Sequence, residues 1–221
     1  ERIIPFSFRF RWPLVIGSTA VMVAGGVALS GRQPQDLQAF LLYHKAPNTL
    51  AHSLHVAQTA TELALRFAVD PHLAQLAGWL HDCSAVIPTP HRFQVARAWD
   101  LEVLPEEAAF PLILHQKLSV VIAAEIFGIN HPEVLSAVGC HTTLKAGASP
   151  LDKIVFIADK LAWDQPGNTS YQASIHSGLS HSLDAGILAY INNLVENRAA
   201  LPGPLHPWLL QAHADLTLTA G

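Results

Sequence analysis

From Pro34 onward the apolar positions fall into stripes with helical spacing. Leu73, Leu76, Ala77 and Leu80 form one stripe, and Ile154, Ile157, Ala158 and Leu161 form another. No stretch sustains strand alternation, so the chain reads as all-α, a helical bundle. Helix-start signals agree: Asn48-Thr49, Pro71, His131-Pro132, and Ser149-Pro150 with Asp152 in the first turn. The pattern predicts helices near 35–44, 49–68, 71–82, 92–99, 117–127, 132–141, 150–163 and 180–197. The polar stretch Gln165–Ser182 reads as a surface loop or a lid. The Pro/Gly-rich run Leu201–Pro207 breaks the last long helix and leaves a short C-terminal tail, 201–221. One folded domain over 34–200 is expected.

Residues 1–33 have a different character. Leu14–Leu29 is sixteen residues without a charge, between Arg11 and Arg32. A membrane-spanning helix needs roughly 17–25 residues, whereas a signal-peptide core has about 7–15. Gly17, Gly25 and Gly26 weaken a helix here. The segment over 12–30 therefore stays open between a membrane or signal-like element, a buried apolar hairpin and a simple extension.

Composition narrows the class. Half of the 221 residues are hydrophobic and 14% are charged, which excludes a disordered chain. The net charge of −4 offers no footprint for nucleic acid. Two cysteines, Cys83 and Cys140, cannot build a disulfide framework. They favour a reducing compartment and a cytoplasmic location, with membrane attachment through the N-terminal segment as the alternative. Each reads as a small buried group rather than a thiolate. Histidine stands out at thirteen, as many as Lys and Arg together.

Six polar residues interrupt apolar sequence, most of them near helix ends. His52 lies early in TLAHSLHVAQTA, His81 and Asp82 close GWLHD, His115 ends FPLILH, His141 closes AVGCH, and Asp159 sits inside DKIVFIADK. Charges in such places are costly unless paired or bound to a cation. Four imidazoles and two carboxylates suit Fe, Mn, Co or Zn better than Ca. The remaining histidines, among them His44, His72, His91, His131, His176, His181, His206 and His213, read as solvated or capping.

In this order, His52, HD at 81–82, His115, HT at 141–142 and IAD at 157–159, the motifs resemble those of the HD-domain metal-dependent phosphohydrolases. AHSLHVAQTATELA, AGWLHD, LILHQ, VLSAVGCHTT and SPLDKIVFIADK are most similar to the YqeK-type symmetrical bis(5'-nucleosyl)-tetraphosphatases. The resemblance implies an all-α fold and two divalent ions, often iron. The implied reaction cuts diadenosine tetraphosphate into two ADP. His52, His81, Asp82 and Asp159 would hold one ion, and Asp82, His115 and His141 the other. His81 and Asp82 would form the catalytic core, with Asp82 bridging. A dinucleoside polyphosphate or another nucleotide is the expected partner, and a homodimer is left open.

Three basic positions expected from the resemblance hold Thr49, Ala85 and Gln165 instead. Other cations then have to orient the phosphates, or the substrate differs. Arg92, Lys117, Lys145 and Lys160 are nearest in sequence, and His55, one turn from His52, could reach a phosphate. Trp163, near Asp164, is expected to pack, with base stacking as the alternative. The competing readings are a phosphohydrolase for another nucleotide and a metal-holding protein of weak catalytic power.

Overall fold

The computed structural model of the protein describes residues 34–163 and 171–219. The N-terminal segment with its membrane reading, Asp164 and Gln165 lie outside the described residues. The described chain is all-α, as its apolar spacing predicts. Its helices are α1 (Pro34–Tyr43), α2 (Pro47–Arg66), α3 (Pro71–Leu80), α4 (Thr89–Ala98), α5 (Pro105–Ala109), α6 (His115–Glu125), α7 (Pro132–Cys140), α8 (Pro150–Leu161), α9 (Tyr171–Leu179), α10 (Leu183–Glu196) and α11 (Pro207–Thr219). Single 3-10 turns at Cys83–Val86 and Pro111–Leu114 lead into α4 and α6. No described helix is long and apolar enough to cross a membrane.

Proline explains many of the helix starts, because its missing N–H is not needed in the first turn. Asp70 caps α3 by accepting from the backbone N–H of His72 at 2.8 Å and of Leu73 at 3.3 Å. At α8, Ser149 Oγ accepts from Asp152 N at 3.1 Å while Asp152 Oδ2 accepts from Ser149 N at 2.9 Å. This reciprocal cap fixes where α8 begins, and hence where Asp159 falls.

α8 is the central strut. Leu151, Asp152 and Ile154 to Lys160 are all buried, and the helix packs on α2, α3, α7 and α10. α2 and α3 approach closely because Gly78 faces Ala57: a Cβ on Gly78 would lie 2.6 Å from Ala57 Cα. Gly78→Ala is therefore expected to cost about 1–3 kcal/mol, read as a lower melting temperature. It should also weaken metal binding, because α2 carries His52 and the Gly78 carbonyl positions His81.

The stretch Gln165–Ser182 departs from the loop reading, since residues 171–179 form α9. Its polar sequence hides an apolar pair one turn apart, Ile175 and Leu179, both buried. Small residues let α9 and α10 touch: a Cβ on Gly178 would lie 2.5 Å from Ala185 O. The segment after Pro207 is likewise a thirteen-residue helix, with Leu209, Ala212 and Leu216 in the core. His206, read as solvated or capping, caps α11 by accepting from Trp208 N at 3.2 Å, and is buried with its other ring nitrogen 3.3 Å from the buried Glu107 carboxylate. Trp163, expected to pack, is 42% exposed because the chain leaves α8 just before it.

Candidate metal centre

The six residues chosen from sequence converge in one cluster. His52 comes from the second turn of α2, His81 and Asp82 from the end of α3, His115 from the start of α6, His141 from the end of α7, and Asp159 from the last turn of α8. Neighbouring imidazoles meet edge to face in a chain. Ring centroids are 5.2 Å apart for His52–His81, 4.8 Å for His81–His141 and 4.9 Å for His115–His141.

The same local device orients three of these rings. His81 Nδ1 donates to Gly78 O at 2.8 Å, His115 Nδ1 to Leu112 O at 2.6 Å, and His141 Nδ1 to Val138 O at 2.8 Å. A carbonyl oxygen only accepts, so each Nδ1 carries a proton and each ring turns its Nε2 inward. His115 Nε2 and His141 Nε2 then face each other at 2.9 Å, and His81 Nε2 lies 3.3 Å from His52 Nε2. Burial pushes His81 and His115 down to about 4, so both rings are neutral near pH 7. Thr142 Oγ1, 2.9 Å from His115 Nε2, offers one hydroxyl proton. Around His141 Nε2 the described neighbours are His115 Nε2 and, at 3.6 Å, Asp82 Oδ1. Converging lone pairs and carboxylates repel unless a cation lies among them, and this donor set fits a borderline divalent metal.

Asp82 stands between two groups of donors. Its Oδ2 lies 3.7 Å from His81 Nε2, whereas Oδ1 lies 3.4 Å from His115 Nε2 and 3.6 Å from His141 Nε2. Burial opposes its ionisation, but the imidazoles of His81 and His115 outweigh burial and hold the carboxyl well below the usual carboxylate range. Asp159 Oδ1 is 3.1 Å from His52 Nε2 and 3.7 Å from His81 Nε2. Its Oδ2 accepts from Lys160 Nζ at 2.6 Å. Lys160 and His52 overcome burial and keep Asp159 ionised. The donor atoms of His52, His81 and Asp159 lie within 4.8 Å of one another, as do those of His81, Asp82 and His141.

Supporting contacts hold this arrangement. Ser84 Oγ donates to His115 O at 2.8 Å, and Ser84 N donates to Ser119 Oγ at 3.1 Å, tying the HD turn to α6. Gln116 Oε1 accepts from Thr142 N at 3.2 Å, and Gln116 Nε2 donates to Thr143 Oγ1 at 3.1 Å, tying α6 to the end of α7. Sequence reasoning missed Ser84, Gln116, Ser119 and Thr143 as positioning groups. Ser84, Gln116 and Thr143 lie within two residues of HD, H and HT, whereas Ser119 stands a full turn after His115.

The other candidates separate clearly. The Lys117 ammonium donates to Glu107 Oε2 at 2.8 Å and Glu102 O at 3.0 Å and lies over Trp208, so its charge is matched within the fold. Lys145 lies 3.4 Å from Asp152 Oδ2. His55 is exposed and makes no hydrogen bond among the described residues. Arg92 is 7% exposed; burial lowers its pKa, and Asp82 lies close enough to oppose that in part. Cys83 and Cys140 are buried, and burial raises both thiols, so neither is a thiolate.

Comparison with known proteins gives this geometry a class. A family model described as HD domain matches residues 49–164, more than half of the chain. The chain belongs to the HD-domain family. Among its relatives, an "uncharacterized protein in pepC 5'region" of Lactococcus lactis subsp. cremoris is 42% identical over 65% of this chain and 72% of its own. A "bis(5'-nucleosyl)-tetraphosphatase, symmetrical" of Staphylococcus aureus is 35% identical over 53% of this chain and 59% of its own. The fold matches a crystal structure from Clostridium acetobutylicum, described as a predicted HD superfamily hydrolase involved in NAD metabolism. There the TM-score is 0.77 and the identity 24%, over 85% of this chain and 98% of that one.

Proposed function

We propose that this HD-domain hydrolase cuts diadenosine tetraphosphate symmetrically into two ADP, using two divalent ions. The observation that carries this reading is Asp82, one carboxylate with an oxygen toward His81 and the other toward His115 and His141. His52, His81, Asp82 and Asp159 would hold one ion and Asp82, His115 and His141 the other. Iron is the first metal to try, then Mn, Co and Zn. Bound there, such ions supply Lewis acidity toward phosphoryl oxygens and acidify water for attack on phosphorus.

The chain's own residues do the positioning. Three rings stay fixed in the Nδ1-protonated form by carbonyls of their own helical turns. Lys160 holds one oxygen of Asp159 and leaves the other toward His52 and His81. The two cysteines stay protonated, so neither serves as a thiolate nucleophile, and in this reading water is the attacking group. Hydrolysis of the central P–O–P bridge adds one water and gives two identical nucleoside diphosphates. The relative from Staphylococcus aureus named for this activity supports the substrate.

The test offers diadenosine tetraphosphate and a nucleotide panel to metal-loaded protein and identifies the products. ADP as sole product is expected. AMP with ATP would contradict symmetric cleavage. Hydrolysis of a different nucleotide, or bound metal without turnover, would sink the assignment of substrate.

A further inference from the structure

A buried cation needs a counter-charge. Lys160 has Asp159 at 2.6 Å, and Lys117 has Glu107 at 2.8 Å. Arg92 differs. It is 7% exposed, yet no carboxylate among the described residues lies within ion-pair distance of it. Its Nε donates to Ile87 O at 3.1 Å and its Nη1 to Leu112 O at 3.0 Å. No acceptor among the described residues takes the N–H groups of Nη2. The guanidinium is thus fixed in orientation with donors left over.

Its place is beside the metal centre. The Leu112 carbonyl that accepts from Arg92 also accepts from His115 Nδ1, at 2.6 Å. Asp82 acts on Arg92, and Arg92 in turn acts on His115.

Charge bookkeeping then points to a ligand. Without metal, the carboxylates of Asp82 and Asp159 are balanced by Lys160 and Arg92. Each divalent ion that enters adds positive charge that these residues do not neutralise. An anionic ligand restores the balance in a site this enclosed.

We propose that Arg92 receives a phosphate group of a nucleoside polyphosphate beside the metal centre, a role that the uncharged Thr49 and Ala85 cannot fill. This rests on the metallophosphohydrolase reading above. An arginine suits the task because its planar fork meets phosphate oxygens in pairs, and its two backbone anchors reduce the entropy lost on binding.

Pyrophosphate is the probe, titrated by calorimetry into metal-loaded protein at fixed ionic strength. Arg92→Gln is expected to weaken its binding on the order of tenfold or more. Metal content should match the unaltered protein. Arg92→Lys, which keeps the charge but not the fork, should lose less. Equal pyrophosphate affinity in Arg92→Gln and the unaltered protein overturns the proposal, as does a greater loss in Arg92→Lys than in Arg92→Gln.

A second measurement avoids any folding defect in the variants. In a crystal structure of the unaltered, metal-loaded protein with pyrophosphate, a phosphate oxygen should lie within hydrogen-bond distance of Arg92. Pyrophosphate bound at the metals without touching Arg92 also overturns the role. The two readings fail separately. Pyrophosphate held by Arg92 with diadenosine tetraphosphate left intact would remove the substrate and keep Arg92. Hydrolysis with unchanged pyrophosphate binding in Arg92→Gln would keep the substrate and remove Arg92.

Discussion

Asp82→Asn is expected to abolish both metal loading and hydrolysis. Asp82 faces His81 through one oxygen and His115 and His141 through the other, so a neutral amide weakens both groups of donors at once. An amide also offers one acceptor where the carboxylate offers two, and its NH2 would point at an imidazole lone pair. Altering a residue outside the donor set usually costs about 10–100-fold in metal affinity. Loss of a shared carboxylate should exceed that and bring turnover to the level of chelated protein. Metal analysis beside an activity assay checks it; an Asp82→Asn protein that keeps its metal and its rate would exclude a bridging role.

Acidification should act almost as strongly, and its direction follows from the buried rings. His81 and His115 titrate near 4 in the folded chain against 6.5 for an exposed imidazole. Between those values the unfolded chain binds protons that the folded chain refuses, so stability of the metal-free protein falls as pH falls. The contribution of these rings is complete above about 6.5 and is lost by about 4. The shift corresponds to on the order of 3 kcal/mol per ring, without simple additivity in a coupled cluster. Asp82 and Asp159 act in the same direction at lower pH, since both carboxyls are held below their ordinary range. The same neutral rings are the proposed ligands, so metal should stay bound at pH 5.5 and leave only as pH approaches about 4. Melting curves of chelated protein and metal content across this range check both statements. Metal release centred near 6.5 would mean that the rings are not buried ligands.

Much of the fold was legible because its signals are local. Proline at helix starts and apolar residues one turn apart marked α1 to α3 and α7, α8 and α10, since both act within a single helix. α9 escaped because its Ser, Gly and His residues mask Ile175 and Leu179, and because glycine at 178 and 186 serves a helix crossing invisible along the chain. α11 was read as a tail because the Pro/Gly-rich run Leu201–Pro207 separates it from α10, against which it packs.

For the site, the six polar residues could be picked out by their apolar surroundings, and the structure brings all six together. Charge pairing could not be seen in advance. Lys117 and Arg92 were equal candidates in sequence, and only folding shows Glu107 beside one and two carbonyls beside the other. Nor could the sequence reveal that Gly78, Leu112 and Val138 present their carbonyls to the rings three residues later. That depends on the turn conformation at each helix end.

Anomalous diffraction at the absorption edge of the bound metal tests whether these imidazoles and carboxylates hold two metal ions. Two peaks are predicted, one among His52, His81, Asp82 and Asp159 and one among Asp82, His115 and His141. A metal-loaded crystal with its peaks elsewhere, or with none among these residues, would show that they do not hold the metal.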